Sequence, residues 1–344
     1  MTRTMRATIV AAALLGSAAV VQPAPAQAFK PDPVDETAAR REGALTWYTS
    51  TPVAAAQHIA KTFEQKYGIK VELLRTGGQN VIRRFQQEAD AGRIAVDVIT
   101  MSDMSAANAM TKKGLFVPFK PAGYDKVIPA AKHPDGYYIG QRLTLVGMLV
   151  RTDKVAAADY PKVWTDLLAP KYKNMQVMAD PSFTAIQLVV VAMLSKRYGW
   201  QFYEKLRANN AMIVQGHEQI YDMVKRGERL IAAEASDPRI YTGGVMPPNM
   251  INIIPASNAI QVPSPTAIIK GSPHPNAAKL FAQYNLQADI QHKFTEEGHH
   301  SPRIDVAPPP GLPPLTALEL DPIDYDFIEA NTRQLKTKFA EIFQ

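Results

Sequence analysis

Residues 44–103 read ALTWYTSTPVAAAQHIAKTFEQKYGIKVELLRTGGQNVIRRFQQEADAGRIAVDVITMSD, and their periodicity decides the fold. Leu45–Tyr48 is a short β-rich run, and the Pro52–Tyr67 stretch carries Val53, Ala56, Ala60, Phe63 and Tyr67 on one helical face. Val71–Leu74 predicts the next strand, Gly77-Gly78 a break, and Val81, Ile82, Phe85 and Ala89 the apolar face of a second helix. Val96–Thr100 predicts a third strand and Asp103–Lys112 a third helix. Strands alternating with helices need crossover connections, which give a parallel sheet covered by helices on both faces.

Working outward, Leu143–Val150 reads as a long apolar strand, and a second α/β stretch follows it. Its pieces are Trp164–Leu168, Met175–Met178, an apolar helix Phe183–Tyr198, then Trp200–Asn209, Gln219–Lys225 and a strand Arg229–Ala235. Three β-like runs (Ile251–Pro255, Ala259–Val262, Ala267–Lys270) precede helices at Pro275–Leu286 and Asp289–Glu297. Ala307–Pro314 is a loop by composition, and Tyr325–Phe343 closes the chain as an amphipathic helix. Two α/β units joined by β segments that cross more than once predict two lobes with a ligand cleft between them. The expected boundaries are a leader at 29–42, lobe 1 at 43–142 returning at 259–310, lobe 2 at 143–258, and a helical segment at 311–344 packing on lobe 2.

Upstream, Arg3 and Arg6 precede an apolar stretch at residues 7–21, then Pro23 and Pro25, then Ala26-Gln27-Ala28. That order predicts a signal peptide over 1–28 cleaved after Ala28, and so a periplasmic protein. The 344 residues carry 38 Lys+Arg against 32 Asp+Glu, a formal charge of +6. Cleavage would take two arginines and no acid, leaving 36 against 32, or +4. The basic residues are scattered, the densest groups being pairs such as Arg83-Arg84 and Lys112-Lys113, which argues against a nucleic-acid groove. The absence of cysteine excludes disulfide scaffolds, Cys-ligated metal sites, thiol nucleophiles and a lipid-modified amino-terminal Cys.

The chemistry sits where strands end. Thr49-Ser50-Thr51 precedes Pro52, so Thr51 is expected to cap the first helix; Thr76-Gly77-Gly78-Gln79 and Ser102-Asp103 follow the next two strands. Asp180-Pro181-Ser182-Phe183-Thr184 heads the apolar helix in the second half. Each junction offers free backbone N–H groups, hydroxyls and a helix dipole to an anion, and each is equally readable as an ordinary cap. Glu234, Ser236 and Asp237 either point into the cleft or begin a turn. Arg142, Arg239 and Arg303 are possible anion partners that read as surface arginines. No Gly-x-Ser-x-Gly, phosphate-loop or His-Glu-x-x-His motif is present, so catalysis has no positive support. Glu296 and His300 are four apart, but Gly298 interrupts the helix pattern between them.

Taken in order, Leu-Thr-Trp-Tyr-Thr-Ser (45–50), Val-Asp-Val-Ile-Thr (96–100), Gly-Leu-Phe-Val-Pro-Phe (114–119), Val-Trp-Thr-Asp-Leu-Leu-Ala-Pro-Lys-Tyr-Lys-Asn (163–174), Lys-Arg-Gly-Glu (225–228), His-Pro-Asn-Ala-Ala-Lys-Leu-Phe (274–281) and Glu-Gly-His-His-Ser-Pro-Arg-Ile-Asp-Val (297–306) resemble one family. It is the periplasmic solute-binding proteins of ABC importers, in the group holding the ferric-iron-binding proteins and their organic-anion, phosphonate and sugar-phosphate relatives. The resemblance implies the type II periplasmic-binding fold and a monomer that closes on a small ligand and delivers it to an inner-membrane permease. It implies no cofactor and no catalysis. It also places ligand contacts at Thr49, Ser50 and Thr51, around Asp103, at Ser182 and Thr184, at Glu234–Asp237, and near Ser264–Thr266 and His299–Arg303. The full candidate set adds Gly78, Ser102, Glu218 and Arg303. Iron-binding members carry adjacent tyrosines where this chain reads Ala235-Ser236-Asp237-Pro238, with Tyr241 isolated, and Thr51-Pro52 stand where some have a histidine. An oxyanionic ligand is therefore favoured, although the acidic trio Glu218, Glu234 and Asp237 leaves a cationic or zwitterionic one open, and an Fe(III) site using Tyr241 and His300 is the alternative. A metal-dependent hydrolase using Glu296, His299 and His300 is a further alternative.

Overall fold

The computed structural model describes residues 29–343, so the signal-peptide reading of 1–28 lies outside the described residues. From Pro31 onward the chain is one unit. Its elements run α1 (Glu36–Glu42), β1 (Ala44–Thr49), α2 (Val53–Tyr67), β2 (Lys70–Arg75), α3 (Gly78–Asp90), β3 (Val98–Thr100), α4 (Met104–Lys112) and β4 (Phe116–Val117). Next come β5 (Ile139–Arg151), β6 (Gln176–Ala179), α5 (Ala185–Tyr198), α6 (Gln201–Ala208), β7 (Met212–Val214), α7 (His217–Arg226), β8 (Ile231–Ser236), β9 (Met250–Ile253) and β10 (Ser257–Ile269). The chain ends with α8 (Pro275–Asn285), α9 (Ala288–Glu296), β11 (Glu319–Leu320) and α10 (Tyr325–Phe343). Among the described residues, no helix is long and apolar enough to cross a membrane.

The main path of the sheet is β2-β1-β3-β10-β5-β8-β6-β7. At one end β1 runs parallel to β2 and β3; at the other β6 runs parallel to β7 and β8. Between these parallel halves lie β5 and β10, two 13-residue strands paired antiparallel. The far end of β10 pairs with β3, whereas β5 pairs with β8 and β9, so these two strands carry the chain between the halves. Their register shifts between Ser264 and Pro265. Pro263 and Pro265 bring no N–H to the ladder, and a bulge is where a strand accommodates that loss. Because of these prolines the sequence shows two β-like runs where the structure has one strand.

Period-two alternation divides each half into two cores. Leu45 and Trp47 of β1 face α2, α8 and α9, where Phe281 meets Trp47 and Phe63 at 5.0 Å each; Tyr48 faces the opposite way, toward α3 and α4. In the second half Met148 packs under α5, α6 and α10, and Leu149 under α7. The C-terminal helix α10 lies on α5 and α6, and also reaches α4 and Gln79, whose Oε1 accepts from Lys336 Nζ at 2.8 Å. Helix α1 lies inside the stretch read as leader; Asp35 caps it by accepting from Ala38 N at 2.8 Å.

Candidate functional site

Four helices begin around one cavity of about 340 Å³ between the two halves. Pro52 precedes α2, Gly77 and Gly78 open α3, Phe183–Ile186 open α5, and Gly216–Gln219 open α7. None of these four N-termini has a side-chain cap. Elsewhere acids cap three helices: Asp35 for α1, Asp103 for α4, and Glu42, which accepts from Asn276 N and Ala277 N at the start of α8; α6 and α9, away from the cavity, also start without a side-chain cap. The N–H groups at the cavity are left for something else to satisfy.

The floor comes from β5. Alternation puts Arg142 and Thr144 on the cavity face while Leu143 between them enters a core cluster. Arg142 is 2 % exposed and has no carboxylate partner among the described residues. Its Nη1 donates to Gln141 Oε1 at 2.7 Å and Thr51 Oγ1 at 3.0 Å, and its Nε has no partner. Burial, with repulsion from Arg75 second, lowers its pKa to about 9, so it remains a cation at neutral pH. An uncompensated buried cation is costly, and an oxyanion is the natural complement of its fork.

Hydroxyls surround it. Ser102 Oγ lies 2.9 Å from Ser264 Oγ and 3.5 Å from Ser50 Oγ, with Ser50, Ser102, Thr144 and Ser236 all on the cavity wall. His299 and His217 also line it; burial first holds both imidazoles neutral, His217 at a pKa of about 4. Tyr241 stacks on Tyr221 with centroids 5.8 Å apart, and burial pushes its phenol well above the ordinary value. At the rim Arg75 Nη2 meets Glu218 Oε1 at 2.9 Å.

Of the expected ligand residues, Ser50, Gly78, Ser102, Thr184, Glu218 and Ser236 line this cavity, as does Tyr241. The others are placed elsewhere, each for a local reason. Thr49 and Thr51 are buried behind the wall: Thr49 Oγ1 donates to Thr51 Oγ1 at 2.7 Å and Thr51 Oγ1 to Gln141 Oε1 at 2.8 Å. Thr51 therefore holds Arg142 in place and does not cap α2, whose cap position is Pro52. Asp103 faces its own helix, accepting from Ala106 N at 3.0 Å. Ser182 is exposed, its N–H turned to Asp180 Oδ1 at 2.7 Å. Glu234 is on the same face of β8 as Ser236 but one step deeper, under α5, accepting from Gln187 and from Tyr203 at 3.1 Å. Asp237 pairs with Arg239 at 2.9 Å, and Arg303 with Asp305 at 2.8 Å, away from the cavity.

Arg142 and Arg239, read as surface arginines, are both buried. Tyr241 and His300 are not brought together at the wall: His300 Nε2 faces Pro313 O at 2.9 Å. Glu296 is exposed and paired with Lys293, away from His299. Among the described residues, no group of three or more His, Asp or Glu is placed to hold a metal ion. The sequence reading passed over Arg75, Thr144 and His217. The available signal was the lone charge at the head of an apolar strand, Arg142-Leu143-Thr144.

Asp103→Ala follows from its role as a cap. It should lower unfolding free energy by about 1 kcal/mol in a denaturant titration and leave solute affinity unchanged by calorimetry.

A two-lobed α/β unit whose crossing strands carry a polar, cationic cavity is the architecture of a type II periplasmic binding protein. The chain belongs to the bacterial extracellular solute-binding protein family, whose pattern matches residues 45–300. A probable ABC transporter periplasmic-binding protein, y4fP of Sinorhizobium fredii, is 24% identical over 281 residues, covering 76% of each chain. Iron-bound HitA of Pseudomonas aeruginosa superposes with a TM-score of 0.75 at 21% identity, over 88% of this chain and 99% of its own. AfuA of Actinobacillus pleuropneumoniae, solved with fructose-6-phosphate, gives 0.75 at 21% identity, over 88% and 98%.

Proposed function

We propose that this protein is the periplasmic capture component of an ABC importer, taking a small oxyanionic solute and passing it to an inner-membrane permease. In this reading residues 1–28 are an export signal cleaved after Ala28, and the mature protein acts as a monomer without catalysis. Residues 43–142 and 259–310 form one lobe and 143–258 the other, closing over the ligand. The ligand is a phosphorylated, phosphonate or carboxylate compound.

The observation that carries this is Arg142, a buried cation without a carboxylate partner at the floor of the cavity. Four uncapped helix starts and the hydroxyls of Ser50, Ser102, Thr144 and Ser236 add donors around it. HitA was solved with iron and AfuA with a sugar phosphate. The donor set here favours a ligand of the second kind: the cavity wall offers a single tyrosine, Tyr241, and a single carboxylate, Glu218, which is paired with Arg75, while the buried guanidinium of Arg142 repels a ferric ion and attracts an oxyanion.

A thermal-shift screen over phosphate esters, phosphonates, carboxylates, polyamines and metal salts tests the reading. An oxyanion at a hundred times its Kd should stabilise the fold by about 2.7 kcal/mol. A shift with ferric ion alone would move the assignment to iron.

A further inference from the structure

Two glycines and one ion pair mark where the halves touch beside the cavity. Gly77 and Gly78 open α3 in the first half, and Phe183–Ala185 lead into α5 in the second. A Cβ on Gly77 would stand 3.1 Å from the Phe183 carbonyl oxygen. One on Gly78 would stand 3.1 Å from Ala185 Cβ and 3.7 Å from Ser50 Cβ. Gly77 has φ −60°, and Gly78 is absent from the positive-φ glycines, so neither backbone conformation requires glycine. What glycine supplies here is the missing side chain, which lets two chain segments come together. At the same mouth Arg75, the last residue of β2, reaches Glu218 in the first turn of α7, where the helix dipole favours a carboxylate.

We propose that Gly77-Gly78 is the contact that sets how far the two halves close, with Arg75–Glu218 as its latch. The proposal rests on reading the cavity as a ligand site closed by movement of the halves. Closing brings the uncapped starts of α3 and α5 together above Arg142, concentrating positive potential. An anion in the cavity offsets that repulsion, so the closed state is the one it selects. The glycine contact is steric and dominates. The ion pair is partly exposed, and pairs of that kind change an equilibrium by no more than about fivefold.

The chain has no cysteine, so Gly78→Cys with Ala185→Cys places the only two thiols at the contact, a few tenths of an ångström inside the usual Cβ separation of a disulfide. Mild oxidation of the folded, ligand-free double variant should give an intramolecular disulfide, read by intact mass. Adding Gly77→Val as a wedge should slow its formation at least tenfold, and Glu218→Ala up to about fivefold. Glycerol 3-phosphate should speed it severalfold. Absence of the disulfide in a protein that keeps its circular dichroism, or a rate indifferent to Gly77→Val, would overturn the contact. A disulfide that responds to the wedge but not to any oxyanion of the screen supports the contact and counts against the oxyanion reading instead. For a second route without thiols, Gly78→Ala should weaken glycerol 3-phosphate binding at least tenfold, and adding Ala185→Gly should restore it to within about twofold.

Discussion

Replacing Arg142 with methionine should lower oxyanion affinity about 100-fold or more, while the ligand-free protein stays at least as stable as the wild type. Both halves of that expectation come from one fact, that the guanidinium is buried without a carboxylate. In the ligand-free protein its desolvation is offset by hydrogen bonds to Gln141 and Thr51 and by the minor attraction of Glu297, with no ion pair among the described residues, so an apolar side chain of similar length removes a cost. In the complex the same guanidinium is the charge an oxyanion is desolvated against. Truncating one partner of such a pair costs about 2–5 kcal/mol, and each 1.4 kcal/mol is tenfold. Arg142→Lys keeps the charge but loses the planar fork, so it should fall between the two. Calorimetric titration with the best oxyanion of the screen, beside thermal melts of the free proteins, measures both quantities. Equal affinity in wild type and the methionine variant would remove Arg142 from the site.

Arg142 also shows where sequence reading stops. The junctions at Ser50, Gly78, Ser102 and Thr184 were legible because a strand end followed by a helix start is a local pattern, and parallel α/β topology gathers such ends. Whether an arginine at the start of a strand is buried depends on which strands flank it. The flanks of β5 are β10 on one side, and β8 and β9 on the other, drawn from more than 80 residues away. Depth was invisible for the same reason. Glu234 has the right parity to share a face with Ser236, but α5 covers it through Gln187. Asp103 and Asp237 had the right positions too, and local hydrogen bonds turned both carboxylates onto backbone N–H groups two or three residues further on, Ala106 N and Arg239 N. Local pattern names the loop, and only tertiary packing decides which of its side chains remain free for a ligand.

Glu234 leads to the second large effect, on stability and not on binding. Burial raises its pKa from the ordinary 4.5 to about 7, against the lowering effect of hydrogen bonds from Gln187 and Tyr203. The folded protein therefore holds a proton that the unfolded chain releases between pH 4.5 and 7. The stability this group contributes is fully present below pH 4.5 and is lost as pH rises through about 7. At 1.36 kcal/mol per unit the loss totals about 3 kcal/mol. His217 works the other way. Its pKa is lowered by burial from 6.5 to about 4, so its contribution is present above pH 6.5 and lost as pH falls through about 4. The two windows overlap, and a wild-type pH profile mixes them. Glu234→Gln separates them, because an amide of the same shape can still accept from Gln187 and does not titrate. Denaturant titrations should give the variant and the wild type similar stability at pH 4.5, with the variant ahead by about 3 kcal/mol at pH 8. A difference that does not change across that range would mean that Glu234 carries no trapped proton.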